Sequence, residues 1–258
     1  MAPWRSPRKR PGGEAGPALL QPHCQARGGV PWPPPLHAGD RLSRAEFETR
    51  YAAHPEILKA ELLQGTVYMP SPARYNQHAR PHNDICTWLG FFSAEIPGVV
   101  AANNATVRLG LESEVQPDAL LRLETVFGGR CRLTEDDFLT GPPELVVEVA
   151  ASSAAYDLHD KRRIYEESGV PEYLVLLAYE REAVWLALEE GLYRPLPPAE
   201  GGVLQSKKFP GLWLDAESLW EGSLAKVLDV LRQGMASPDH GRWVEGLRRR
   251  LEPASAGR

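Results

Sequence analysis

Three charged residues stand where the surrounding pattern calls for apolar ones. Glu148 lies inside Leu145-Val146-Val147-Glu148-Val149-Ala150, a run that reads as a strand buried on both faces. An unpaired carboxylate there is costly or forced neutral, so it needs an arginine, a lysine or a metal beside it. Asp118 opens a second apolar strand, Asp118 to Leu123, directly after Pro117. There it can face the same side as Leu120; taken alone, it reads more readily as a strand-start cap or turn residue. Lys161 falls on the apolar stripe of the helix expected from about Asp157 to Ser168. Counting about 100° per residue from Leu158, the stripe points near ~320° and Lys161 near ~300°. Its stem can snorkel across the core, or its ammonium can meet Glu148 or pair with Asp157 four residues earlier. Two strand-borne carboxylates and an inward lysine are together the groups of a metal-dependent phosphodiesterase centre. Hard cations such as Mg²⁺ or Mn²⁺ prefer carboxylate, carbonyl and water oxygens. The metal polarises a phosphate and helps generate hydroxide, while a lysine orients the water or stabilises developing charge.

These residues need a scaffold of strands and helices, and its outline is readable. Ser43-Arg44-Ala45-Glu46 is a capping box that opens a short helix to about Ala53. Ala60 to Met69 reads as a hairpin turning at Gln64-Gly65, and Pro70-Ser71-Pro72 ends it. Apolar residues at helical spacing (Ile85, Trp88, Leu89, Phe92, Ile96) predict a long helix that starts near Arg80, because Pro81 fits only a first turn. Short β-rich runs follow at 99–101, 106–109, 118–123 and 145–150. After the Asp157–Ser168 helix, closed by Gly169 with Pro171 beyond, come strands near 173–179, 183–188 and 192–194. Ser223 is expected to cap a final amphipathic helix carrying Leu224, Val227, Leu228 and Leu231. The fold class is therefore α/β (α+β), a mixed sheet flanked by helices.

The chain is 258 residues long, enough for one domain with tails. Residues 1–40 hold 9 Pro and 6 Gly, which predicts a disordered N-terminal tail; the domain is expected at 41–232 and a polar, basic tail or short helix at 233–258. No run approaches the ~20 apolar residues of a membrane span, which excludes an integral helical membrane protein. Cys24, Cys86 and Cys131 are an odd, unpaired set, against a disulfide framework and in keeping with a cytoplasmic location. The net charge of −5 divides into about +3 on the tail, from five Lys/Arg against Glu14 and Asp40, and about −8 on the rest. An acidic sum argues against a strongly basic nucleic-acid binder, but part of it would be a metal site that the metal itself neutralises. Contacts to phosphate would then be confined to local patches such as Arg162-Arg163.

The ordered set Gln116-Pro117-Asp118, Pro143-Glu144-Leu145-Val146-Val147-Glu148-Val149, Tyr156-Asp157, Lys161, Tyr165 and Gly169-Val170-Pro171-Glu172-Tyr173 resembles the Uma-two family. That family comprises restriction-endonuclease-type domains of the PD-(D/E)XK superfamily. Glu61-Leu62-Leu63-Gln64-Gly65, His78 and Phe209-Pro210-Gly211-Leu212 extend the resemblance over about residues 41–222. It implies a restriction-endonuclease-like core and a Mg²⁺- or Mn²⁺-dependent DNA endonuclease. Asp118 would be the PD aspartate and Glu148 the second acid. Both would ligate the metal with the backbone carbonyl of Val149, and Glu61 would be a further acid near it. The usual lysine two residues after the glutamate is replaced by Ala150, so Lys161 is the candidate for a lysine moved to the next helix. Gln116 stands where relatives often carry an acid.

The expected partner is DNA, with no membrane and a homo-oligomeric (dimeric) assembly. A different class remains open: a catalytically weak or inactive nuclease-fold module for DNA binding or assembly, suggested by the acidic core, Ala150 and Gln116. His78 and His82 are spaced i,i+4 but lack the zinc-protease glutamate. Ser152-Ser153 with His159 lacks a nucleophile-elbow pattern and reads as a strand-to-helix turn.

Overall fold

The computed structural model describes residues 32–151 and 153–251. Most of the expected N-terminal tail, Ser152 of the expected Ser152-Ser153 turn, and the last residues of the C-terminal segment lie outside these. Ser43 Oγ accepts the Glu46 N–H at 3.3 Å and caps α1 (Arg44–Ala53). Strands β1 (Glu61–Leu63) and β2 (Thr66–Tyr68) form the hairpin, with Gln64 at φ 47° and Gly65 at φ 77°, the left-handed pair that a two-residue turn needs. A π-turn at Tyr75–Ala79 leads into α2 (Arg80–Ala94), with Pro81 in its first turn.

Strands β3 (Val99–Asn103), β4 (Val107–Leu109), β5 (Ser113–Val115), β6 (Ala119–Leu123), β7 (Arg132–Leu133), β8 (Leu139–Thr140) and β9 (Leu145–Ala150) follow. A second π-turn, Tyr156–Lys161, opens α3 (Arg162–Ser168), which Gly169 closes at φ 76°. Then come β10 (Glu172–Leu177), β11 (Glu182–Glu189), β12 (Leu192–Pro195), β13 (Leu204–Gln205), β14 (Trp213–Leu214), α4 (Ala216–Glu221), α5 (Leu224–Met235) and α6 (Pro238–Arg249).

Two six-stranded sheets result. The central one runs β12-β11-β10-β9-β6-β3, antiparallel except for the β9–β10 pair. The other runs β2-β1-β5-β4-β8-β7, and β13 pairs β14 in a separate ribbon. The period of two along β9 sends Leu145, Val147 and Val149 into a core with α2, α5 and α6. Val146 and Ala150 go the other way, into a core with Ile164 and Tyr165 of α3 and Val107, Leu109 and Val115 of the second sheet. Every residue of β9 and β10 is buried, which is why both read as nearly continuous apolar runs.

The single mixed sheet expected from the sequence is thus two mixed sheets flanked by helices. Strands of two or three residues (β5, β7, β8, β13, β14) are too short to show a period, so they were not separable from loops. Ser223 stands at the N-cap of α5 but makes no capping bond, and α5 is not the last helix. α6 follows, with Val244 and Leu247 buried in the α2-side core and Trp243 stacked on Phe92 at 6.2 Å between centroids.

Candidate active site

The β6–β9 ladder ends at the Ala119–Val147 pair. One register step beyond it, Asp118 meets Glu148, and the two elements part. There the backbone N–H of Val149 donates to Asp118 Oδ2 at 2.9 Å in place of a ladder bond. His78 Nε2 is 3.1 Å from the same oxygen, and Lys59 Nζ is 3.3 Å from Oδ1. His82, one turn along from His78, brings its Nε2 within 2.8 Å of the Asp118 carbonyl. Burial opposes ionisation of Asp118, but the His78 hydrogen bond, the Lys59 charge and the Val149 N–H outweigh it and hold the carboxyl well below the usual range.

Glu148 sits on the even face of β9 and points toward the second sheet. One of its oxygens accepts from Lys161 Nζ at 2.9 Å and from the Tyr165 hydroxyl at 2.8 Å. Lys161 is 3% exposed and also lies 2.9 Å from Glu61 Oε2 and 3.8 Å from Asp157. The wide π-turn that carries Asp157 and Lys161 is a feature often found at functional sites. Glu61 is fixed from its other side: its Oε1 accepts the Gln116 N–H at 2.7 Å, while Oε2 has no hydrogen-bond donor, because the Lys161 approach is a charge contact outside hydrogen-bond geometry.

One ammonium thus serves three buried carboxylates. Burial disfavours the charge on Lys161, but Glu148, Glu61 and Asp157 hold it protonated with a strongly raised pKa. Burial, and then the charges of Asp118, Asp157 and Glu61, push Glu148 up to about 8 against the pull of Lys161. Asp157 is raised for the same leading reason.

These groups line one cavity of about 1110 Å³, whose wall includes Lys59, Glu61, His78, Asp118, Glu148 and Lys161. Val149 lines it as well. The structure therefore brings together all the residues singled out in the sequence: Asp118, Glu148, Val149, Lys161 and Glu61. Four contributors, Lys59, His78, His82 and Tyr165, carry no chemical role in the expectations drawn from the sequence. Lys59 lies in the loop before β1, where nothing in its spacing marks it. The i,i+4 histidine pair is visible in the sequence, but its common partner, Asp118, is 40 residues from His78. Tyr165 appears only as a member of the motif set. The Arg162-Arg163 patch is outside the cavity wall, with Arg163 donating to Gln64.

A hard cation suits this donor set: the oxygens are carboxylates, Glu61 Oε2 has no donor, and lysine charge falls short of carboxylate charge. Among the described residues, no three His, Cys, Asp or Glu side chains stand ready as a metal cage. Lys59, His78 and Lys161 hold oxygens that a cation would share or take.

No curated protein matches the sequence. A solved structure described as a "putative nuclease belonging to DUF820 from Anabaena variabilis ATCC 29413" is similar in fold, with a TM-score of 0.52 and 12% identity. The alignment covers 67% of this chain and 97% of that one. Residues 44–217, two thirds of the sequence, match the family described as "Putative restriction endonuclease". With its central mixed sheet, flanking helices and ordered motif set, the chain belongs to this family, Uma2.

Proposed function

We propose that this protein is a Mg²⁺- or Mn²⁺-dependent endonuclease that hydrolyses phosphodiester bonds in DNA. The observation that carries the reading is the convergence of Asp118, Glu148, Glu61 and Asp157 on one cavity, with Lys161 paired to three of them. Asp118, Glu148 and the Val149 carbonyl would hold the cation, with Glu61 as an additional acid. A bound divalent ion would supply Lewis-acid polarisation of the phosphate and lower the pKa of water.

The protein's own groups do the positioning. Asp118 is ionised throughout the working pH range and needs no deprotonation before binding a cation. Glu148, pushed up to about 8, gives up its proton readily once further positive charge arrives. Lys161 holds Glu61 and Glu148 in fixed orientation and, from the cavity wall, would stabilise charge growing on the phosphate. Lys59, released from Asp118, would face the substrate. Cys86 and Cys131 are free thiols, in keeping with the reducing cytoplasm that the proposal assumes.

The test is cleavage of plasmid and oligonucleotide DNA with Mg²⁺, Mn²⁺ or EDTA, alongside Mn²⁺ titration calorimetry. Divalent-dependent cleavage that disappears in Asp118→Asn and Glu148→Gln is expected. No cleavage under any of these conditions, with Mn²⁺ binding the same in both variants, would sink the proposal. A non-catalytic DNA-binding or assembly module is the second reading. It is favoured by one observation: cations of the chain itself, Lys59, His78 and Lys161, pair Asp118 and Glu148.

A further inference from the structure

The mouth of the cavity differs in chemistry from its floor. Leu58, 92% exposed, and Tyr179, 55% exposed, line its wall together with Tyr68. Tyr156, 45% exposed, packs its ring on Tyr68 with centroids 4.6 Å apart and planes tilted by 46°. Large apolar side chains left this open carry a solvation cost, and their gathering beside an acidic floor asks for a ligand with flat apolar faces. Outside the buried Lys161, the lysines and arginines in the wall among the described residues are Lys59 and Arg74. Two such cations can take one or two phosphates, whereas proteins gripping a duplex commonly neutralise about 6–10. The cavity, at about 1110 Å³, exceeds the ~300–1,000 Å³ of small-molecule sites.

We propose that Tyr179 and the Tyr156–Tyr68 pair form a stacking platform for unpaired nucleobases. The site would then take single-stranded or locally unpaired DNA in preference to an intact duplex, with Lys59 and Arg74 on the phosphates. This rests on the nuclease reading only in taking DNA as the ligand. A flexible strand lets successive bases lie on aromatic rings while its backbone bends into the acidic floor, and a stiff duplex keeps its bases stacked on each other. Stacking tolerates any base, so the platform confers preference for unpaired structure rather than for sequence.

The test is fluorescence anisotropy of the full chain in EDTA, with a labelled 15-mer of deoxythymidylate and a hairpin duplex of equal length. Tighter binding of the single strand is expected, with a shallow salt dependence, a log–log slope of about −1.4 for two phosphates. Tyr179→Ala and Tyr156→Ala should each weaken it by about five- to a hundred-fold, while Tyr179→Phe and Tyr156→Phe retain it. Because both rings are exposed, unchanged circular dichroism and melting temperature will establish that the variants are folded. Equal or tighter duplex binding, alanine variants with wild-type affinity, or alanine variants that alter only the oligomeric state would overturn the platform. Single-strand preference without any metal-dependent cleavage would retire the catalytic reading and keep this one. Duplex cleavage at full rate by the Tyr156→Ala, Tyr179→Ala double variant would do the reverse.

Discussion

Glu148 and Glu172 are buried glutamates on adjacent parallel strands, 2% and 1% exposed, yet their surroundings differ in kind. Glu172, at the start of β10, is closed off by four donors: Trp185 Nε1 at 3.2 Å, Ser206 Oγ at 2.7 Å, and the N–H groups of Lys207 and Lys208 at 2.7 and 2.8 Å. It ties the 206–209 turn to the central sheet, and no cavity reaches it among those described. Glu148, near the end of β9, has two donors on one oxygen, three other acids close by, and a cavity in front. Burial raises both carboxyls. The difference teaches that a buried acid alone says little about chemistry. An acid whose donors fall short of its capacity, beside other acids and an opening, marks a site, whereas a saturated one marks a joint.

The largest effect that could break this contrast is on stability at the open end. Lys161→Met leaves three carboxylates without their shared cation and should cost about 3–5 kcal/mol, read as a lower urea midpoint. A wild-type midpoint would mean that Lys161 does not hold the cluster. Next, Asp118→Asn should reduce Mg²⁺-dependent cleavage by about 10²–10³-fold, measured on protein whose circular dichroism shows it folded, with a lower urea midpoint because the charge that Lys59 and His78 pair is gone; equal activity would remove Asp118 from the chemistry. At the closed end, Glu172→Gln turns acceptors toward two backbone N–H groups into a poorer match. It should cost about 1–3 kcal/mol and leave cleavage by the folded protein as it was. A variant as inactive as Asp118→Asn but fully stable would erase the distinction between the two glutamates.

The smallest effect is a pH slope. Glu148 has a folded-state pKa of about 8, above the ordinary 4.5, so the folded chain holds a proton that the unfolded chain has lost between those values. Stability contributed by this group is therefore complete below about pH 4.5 and declines as pH rises toward 8. Without metal, the melting temperature should fall from about pH 5.5 to about pH 8. Glu148→Gln should flatten that slope; Glu172→Gln, whose glutamate is raised but better donated, should flatten it less. Asp118, depressed by its partners, adds stability above the ordinary carboxylate range that is lost only under strong acid.

Some of this was legible along the chain. A glutamate in an all-apolar six-residue strand is anomalous wherever that strand goes, because burial on both faces follows from the run itself. A lysine on an apolar helical stripe is an anomaly of the same local kind. The capping serine of α1, the Gln64-Gly65 turn and the Gly169 stop are likewise set within a few residues, and they stand where the sequence puts them.

The partners were not legible, since period and propensity say which way a side chain faces but not what waits there. Only the register of β6 against β9 sets Asp118 beside Glu148. Only the packing of the second sheet brings Glu61 to Lys161, and only the seat of α2 brings His78 to Asp118. Charge at these contacts depends on the same placement: one lysine among three acids is a count made in space. The sequence by itself determined which residues had to find partners, because burial of a charge is a local demand. The tertiary structure decided that they find one another around a single cavity, because long-range register is a property of the whole packed chain.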